Sequence, residues 1–282
     1  MSYADLFFAA LTYPDATPDR AIRGGVALAR RFGGALTFLS VKIDLPQLHH
    51  PLANALLDLD RVSALEEARS AATAQLAATC ARIAAEMADT PLHVETACAK
   101  LYEEADVIAA AARTRDLTMV PIGPAVLADQ QLAEALLFGS GRPVVVFPDA
   151  AEIAPADRFG RIAIAWDGGA AAARALADAL PALRRAGEVR IFTALGEKPQ
   201  AVHGAAAALA SHLERHGITT VIDERLAHDE SIGQRLARYV DETAPELLVM
   251  GGYGHARLRE FVLGGATRAV LEAPPCPVML SH

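Results

Sequence analysis

The chain has 282 residues, 52% hydrophobic and 21% charged, with 16 prolines spread along its length. This is a globular composition at about twice the commonest domain size, which excludes a disordered or collagen-like chain and points to two domains. The net charge of −8 comes without a basic stripe (12 basic and 18 acidic residues over 1–150, 14 and 16 over 151–282), so neither nucleic acid nor an anionic membrane is expected as a partner. No apolar run approaches the ~18 residues of a membrane helix. The opening MSYADLFFAALTYPD has no basic region ahead of its short apolar run, so a secretory signal is not expected either. Cys80, Cys98 and Cys276 form an odd set without metal-ligand spacing, which suits reduced thiols in a cytoplasm.

In chain order, Leu6–Leu11 reads as a strand and Asp19–Phe32 as a helix closed by Gly33-Gly34. Ala35–Val41 follows as a strand, Arg61–Met87 as a long alanine-rich helix, and Leu92–Cys98 as a strand. A helix around Glu104–Arg113 leads to strands at Leu117–Val120 and Pro143–Pro148. Ile43–Leu59 is expected to be a loop with a short apolar helix, a lid or packing element without a counterpart later on. The same rhythm then repeats. Strands at Arg161–Trp166, Val189–Leu195, Thr219–Asp223, Glu246–Met250 and Pro277–Leu280 alternate with helices at Ala170–Arg185, Ala201–Arg215, Ser231–Glu242 and Ala266–Glu272. Strands apolar on both faces and separated by helices imply a parallel sheet covered on both sides. The expected fold is α/β, with two tandem doubly wound Rossmann-like domains at 1–148 and 157–282 joined by the linker Asp149–Ala156.

The stretch with most chemistry is Met250–Leu271, MGGYGHARLREFVLGGATRAVL. Gly251 leaves a buried strand, Gly254 follows, and Gly264-Gly265 open a helical segment. Ligands of open parallel sheets sit at the carboxyl ends of strands, where glycine lets backbone come close. A helix starting at Gly264-Gly265 offers free N–H groups and a positive dipole end to phosphates. Neither a Walker A lysine nor the dinucleotide G-x-G-x-x-G is present. Plain turn glycines are the competing reading.

This segment resembles the nucleotide motif of the universal stress proteins, G-x2-G-x9-G-[S/T], through Gly251, Gly254 and Gly264. The resemblance extends through AWDGGAAAARALADALPALRRA (Ala165–Ala186) and APPCPVML (Ala273–Leu280), and to tandem bacterial members through LTYPDATP, PLANALLD and FGSGRPVVVFP. It implies five-stranded parallel sheets of order 3-2-1-4-5 with ATP or a related adenine nucleotide across the strand ends, Mg²⁺ being an optional companion. It further implies that Asp167 and the backbone of Ala194 hold the adenosine, while the spacing suits a ribose or base edge at Gly251 and Gly254 and phosphates at Gly264 and Gly265, with Ala266 and Thr267 in the helix start beside them. Gly265 stands where the family has Ser or Thr, so that hydroxyl is missing, and Thr267 is the nearest substitute.

The first half departs further. Leu11 falls at the place of Asp167, and Pro121 and Pro124 at those of Gly251 and Gly254, and proline has no N–H to give. Gly139-Ser140 lies against the fifth strand without room for a phosphate-facing helix. The first site is therefore expected to be lost for nucleotide. Trp166 is either core or an adenine-stacking group, and Arg257, Arg259, Arg268 and His255 are either surface or phosphate-facing. His49-His50 lack a third metal ligand, and neither a metal site nor a catalytic residue is assigned. The apolar fifth strands, which the family pairs across a two-fold, should join the two domains as an intrachain pseudo-dimer, with dimerisation of chains left open. The expected function is stress-response regulation through adenine-nucleotide binding in the second domain. A weak ATPase and a nucleotide-free interaction scaffold are the alternatives.

Overall fold

The computed structural model describes residues 2–12, 16–44, 59–87, 91–100, 103–124, 126–195, 204–226, 230–253 and 265–282. The first half runs β1 (Asp5–Ala10), α1 (Asp19–Phe32), β2 (Ala35–Asp44), α2 (Leu59–Glu86), β3 (Leu92–Lys100), α3 (Glu104–Ala112), β4 (Leu117–Ile122), α4 (Leu127–Gly139) and β5 (Val144–Pro148). The second runs β6 (Arg161–Ala165), α5 (Ala170–Leu183), β7 (Glu188–Leu195), α6 (Ala205–Arg215), β8 (Thr220–Leu226), α7 (Ile232–Thr243), β9 (Leu247–Gly251), α8 (Gly265–Glu272) and β10 (Val278–Ser281). Local chemistry sets several ends. Gly33 closes α1 in the left-handed region at φ 83°, its N–H donating to the carbonyl of Ala29. Ser231 and Gln234 close a reciprocal capping box at the start of α7.

All ten strands form one sheet, in the order β3-β2-β1-β4-β5-β10-β9-β6-β7-β8. Each half is parallel and ordered 3-2-1-4-5, and the only antiparallel pair among the described strands is β5–β10, with Met279 opposite Val145. Because side chains alternate across a strand, burial on both faces demands continuous apolar runs. Phe8, Val145, Ile164 and Met279 lie in the core under α1 and α5, whereas Phe7, Val146, Ala163 and Leu280 lie in the core under α4 and α7.

The halves are also clamped beside the sheet. Arg31, 6% exposed, pairs with Glu246 at 2.9 Å and donates to the carbonyl of Ala154 at 2.8 Å. Arg185 donates to the carbonyl of Phe32 at 2.7 Å, and Tyr3 donates to that of Asp178 at 2.7 Å. Phe32 sits edge-on to both Tyr3 and Phe159. Among the described residues, no helix is long and apolar enough to cross a membrane.

Two expectations need correction. The sequence predicts no helix between Val120 and Pro143, where the structure has α4. Its buried stripe is short (Leu132, Ala133, Leu136, Leu137), and exposed Leu127 and Phe138 blur the period. Gly139-Ser140 ends this helix, with the Ser140 hydroxyl donating to the carbonyl of Leu136. Strands β2 and β8 run three residues beyond Val41 and Asp223, because each extends its ladder along a neighbour. Most of Ile43–Leu59, and the first residues of the helix expected from Ala201, lie outside the described residues.

Val145 and Met279 are fully buried at the seam. A Val145→Asp or Met279→Lys replacement strands a charge there and should cost about 3–5 kcal/mol. Urea denaturation measures it, and an unchanged midpoint in both variants would contradict the seam's structural role.

Candidate functional site

Strand order reverses at β6, which has β7 on one side and β9 on the other. That is where an open parallel sheet leaves a crevice. Past the end of β6, the Trp166 N–H donates to the carbonyl of Phe192 at 2.9 Å, holding the chain against β7. Asp167 then turns back, its Oδ1 accepting from the Gly169 N–H at 2.9 Å, with Gly168 at φ 73°. This Asx turn sets the carboxylate at the start of α5, where the helix dipole favours negative charge.

Gly251 ends β9 beside that same helix start. A Cβ built there would stand 2.5 Å from the Ala172 nitrogen and 2.7 Å from the Ala171 carbonyl carbon. The close approach expected at Gly251 is thus made by the backbone of α5, and the glycine is required by helix–strand packing. Asp167 and Gly251 are thereby brought together. Gly254 and Gly264 lie outside the described residues.

Ala194, next to last in β7, opens onto a cleft of about 450 Å³ shared with Phe192, Arg225, Arg235 and Arg238. Phe192, which lines the cleft, stacks on the fully buried Tyr239, with ring centres 4.3 Å apart. Burial, and then the Asp223 carboxylate that accepts from its hydroxyl, push the Tyr239 phenol well above its ordinary pKa. Most of the charge here is paired, Arg225 with Glu242 and Arg238 with Glu230.

Gly265 begins α8, and among the described residues a Cβ there would meet only Ile232, at 3.7 Å. Packing among those residues therefore leaves room for a side chain at this position. Ala266 packs against the second core. Thr267 is 3% exposed, and its hydroxyl accepts from the Tyr253 N–H at 3.1 Å. The hydroxyl put forward as a phosphate contact is thus engaged in holding the turn after β9. Tyr253 itself adopts φ 52°, a left-handed conformation that costs a non-glycine residue about 1 kcal/mol. Two buried polar atoms at the strand ends, Trp166 Nε1 and Thr193 Oγ1, have no hydrogen-bond partner among the described residues, and Trp166 packs against the core. No cluster of three His, Cys, Asp or Glu that would hold a metal occurs among the described residues.

The first half has the same crevice, filled differently. Strand register equates Leu6 with Ile162 and Leu117 with Leu247, so Leu11 stands for Asp167, Val41 for Ala194 and Pro121 for Gly251. Leu11 is buried, and its N–H and carbonyl both bond to Thr17. The Thr12 hydroxyl donates to the carbonyl of Val41 at 3.3 Å. Past β4, the Gly123 N–H donates to Asp129 Oδ2 at 2.9 Å. The carbonyl of Val41, at the place of Ala194, is thus satisfied from within. Sequence reasoning had only the prolines and Leu11 to go on.

With this geometry in hand, three comparisons place the chain. Residues 158–282 match the profile of the universal stress protein family. Over 67 residues the chain is 34% identical to Universal stress protein Slr1230 of Synechocystis sp., an alignment covering 24% of this chain and 22% of that relative. A universal stress protein from Archaeoglobus fulgidus shares the fold with TM-score 0.68 and 17% identity, over 98% of this chain and 95% of that one. A protein of unknown function from Pseudomonas aeruginosa PAO1 does so with TM-score 0.54 and 14% identity, over 99% and 92%. The second half is a universal stress protein domain.

Two predictions follow from the local geometry. Gly251→Ala should destabilise the protein by about 1–3 kcal/mol, because neither β9 nor α5 can move away freely; thermal unfolding measures it, and wild-type stability would contradict the packing role. In α3, Glu104 has a buried Oε1 without a hydrogen-bond partner among the described residues, and burial pushes its carboxyl from about 4.5 up to about 7. Between those values the folded state holds the extra proton, so stability falls as pH rises through the window. Glu104→Gln should flatten that slope and raise stability at pH 8, read from denaturation midpoints at pH 5 and 8.

Proposed function

We propose that the chain is a regulatory protein of the stress response that binds ATP or a related adenine nucleotide in its second half. The observation that carries this reading is the contrast between two crevices of one architecture. In the first, Leu11 stands at the place of Asp167, Thr12 caps the carbonyl of Val41 at that of Ala194, and Pro121 replaces Gly251. In the second, Asp167, Ala194 and the start of α8 stand at the strand ends, and among the described residues only Ile232 lies near a side chain placed at Gly265.

In this reading the Asp167 carboxylate and the backbone of Ala194 hold the adenosine. Gly251 and Gly254 shape the turn, and the N–H groups around Gly264, Gly265 and Ala266 face the phosphates, with Thr267 fixing the turn behind them. The nucleotide contributes its charge and its base edge to a recognition event, and binding is the proposed activity. Each N–H given to a charged phosphate contributes about 1.5–3 kcal/mol, so a small set of them carries the affinity.

Calorimetric titration with ATP tests this. Gly264→Val should abolish binding by blocking backbone approach while the fold stays intact. Gly265→Ser should tighten it about 5- to 10-fold, by supplying a hydroxyl at a position with space for one. Unchanged affinity in Gly264→Val would overturn the assignment, and no binding by the wild-type protein would favour the scaffold reading.

A further inference from the structure

The antiparallel seam has a geometric consequence for the site. Leu280 near the end of β10 stands opposite Val144 at the start of β5, and Ser281 stands opposite Gly251. Helix α4, which leads into β5, therefore finishes beside the C-terminal end of β9 in the other half.

The contacts there are specific. The Tyr253 hydroxyl donates to Glu134 Oε1 at 3.0 Å, across 119 residues of sequence. Its ring lies 4.7 Å from that of Phe138, which also meets His282 at 4.9 Å. Gly252 packs so closely on α4 that a Cβ would lie 2.8 Å from Leu137 Cδ2. Gly252 also donates to the carbonyl of Ser281 at 2.8 Å, which fixes the turn to β10.

Tyr253 lies between two motif glycines and in the left-handed region. A conformation of that cost persists where surroundings over-determine it. Here two bonds do so: the N–H is tied to Thr267 on α8, and the hydroxyl to Glu134 on α4. Burial, and then Glu134, push the phenol above its ordinary pKa, in keeping with a hydroxyl that stays protonated and donates.

We propose that Glu134 is a positioning residue for the motif of the other half: through Tyr253, the half that lacks nucleotide-binding groups sets how well its neighbour's backbone donors are arranged. This rests on the nucleotide reading above. It goes beyond that reading in giving the first half a part in the site.

The test compares Glu134→Ala with Glu134→Gln, which keeps an oxygen to accept from Tyr253. Two quantities are read in the full chain: ATP affinity by calorimetry, and hydrogen exchange at the Tyr253 amide without nucleotide. Glu134→Ala should speed that exchange and weaken ATP about 5- to 10-fold, the scale of one hydrogen bond. Glu134→Gln should restore both, and neither variant should shift global unfolding, since Glu134 is partly exposed. Exchange and affinity unchanged in Glu134→Ala would overturn the proposal, as would equal losses in the two variants. If the wild-type protein binds no ATP, the nucleotide reading fails, while the exchange comparison still decides whether Glu134 holds the turn.

Discussion

The antiparallel pairing of β5 with β10 is the constraint on which the rest of the molecule depends. Each half alone would end in a hydrophobic edge strand, Val144–Pro148 or Val278–Ser281, with a row of unpaired backbone groups. Pairing the two edges removes both liabilities at once and continues two five-stranded sheets into one of ten. It also fixes an approximate two-fold relation, so the strands of the two halves point in opposite directions. The Arg31–Glu246 pair and the Tyr3–Phe32–Phe159 cluster then close over one face of the seam, while α4 meets the turn after β9 on the other.

Within that frame the halves have diverged at their strand ends and not in their cores. Phe8 and Ile164, or Val145 and Met279, fill corresponding places under the helices. The difference lies in a few polar connections. Thr12 covers the carbonyl of Val41, at the place of Ala194, whereas the N–H of Gly123 is tied to Asp129 much as that of its equivalent Tyr253 is tied to Thr267. A buried polar group must be paired, so a crevice that loses its ligand is expected to acquire internal partners. The first half has such partners at Val41 and Leu11. The second has a carboxylate at a helix start and, among the described residues, space for a side chain at the head of α8.

Much of the architecture was legible because parallel strands covered on both faces need unbroken apolar runs, such as LFFAA in β1 and LLVM in β9. The repeat was legible because those runs recur with helices between them. Helix α4 was not, since its buried positions are few and two large apolar residues point outward. At the site, the glycine requirement at 251 was visible, but its packing partner was not, because that partner is the first turn of α5, some 80 residues earlier in the chain. The bonds from Tyr253 to Glu134 and from Thr12 to Val41 join segments that only the fold brings together. A tyrosine between motif glycines was the one available hint.

The central claim is the asymmetry of two crevices on one scaffold, and counting nucleotides per chain tests it most directly. Native mass spectrometry of the full chain with excess ATP gives that count without assuming where the ligand sits. The account predicts one adenine nucleotide per chain at saturation, and none in an Asp167→Ala, Gly264→Val double variant. Two nucleotides per chain, or one retained in the double variant, would contradict it.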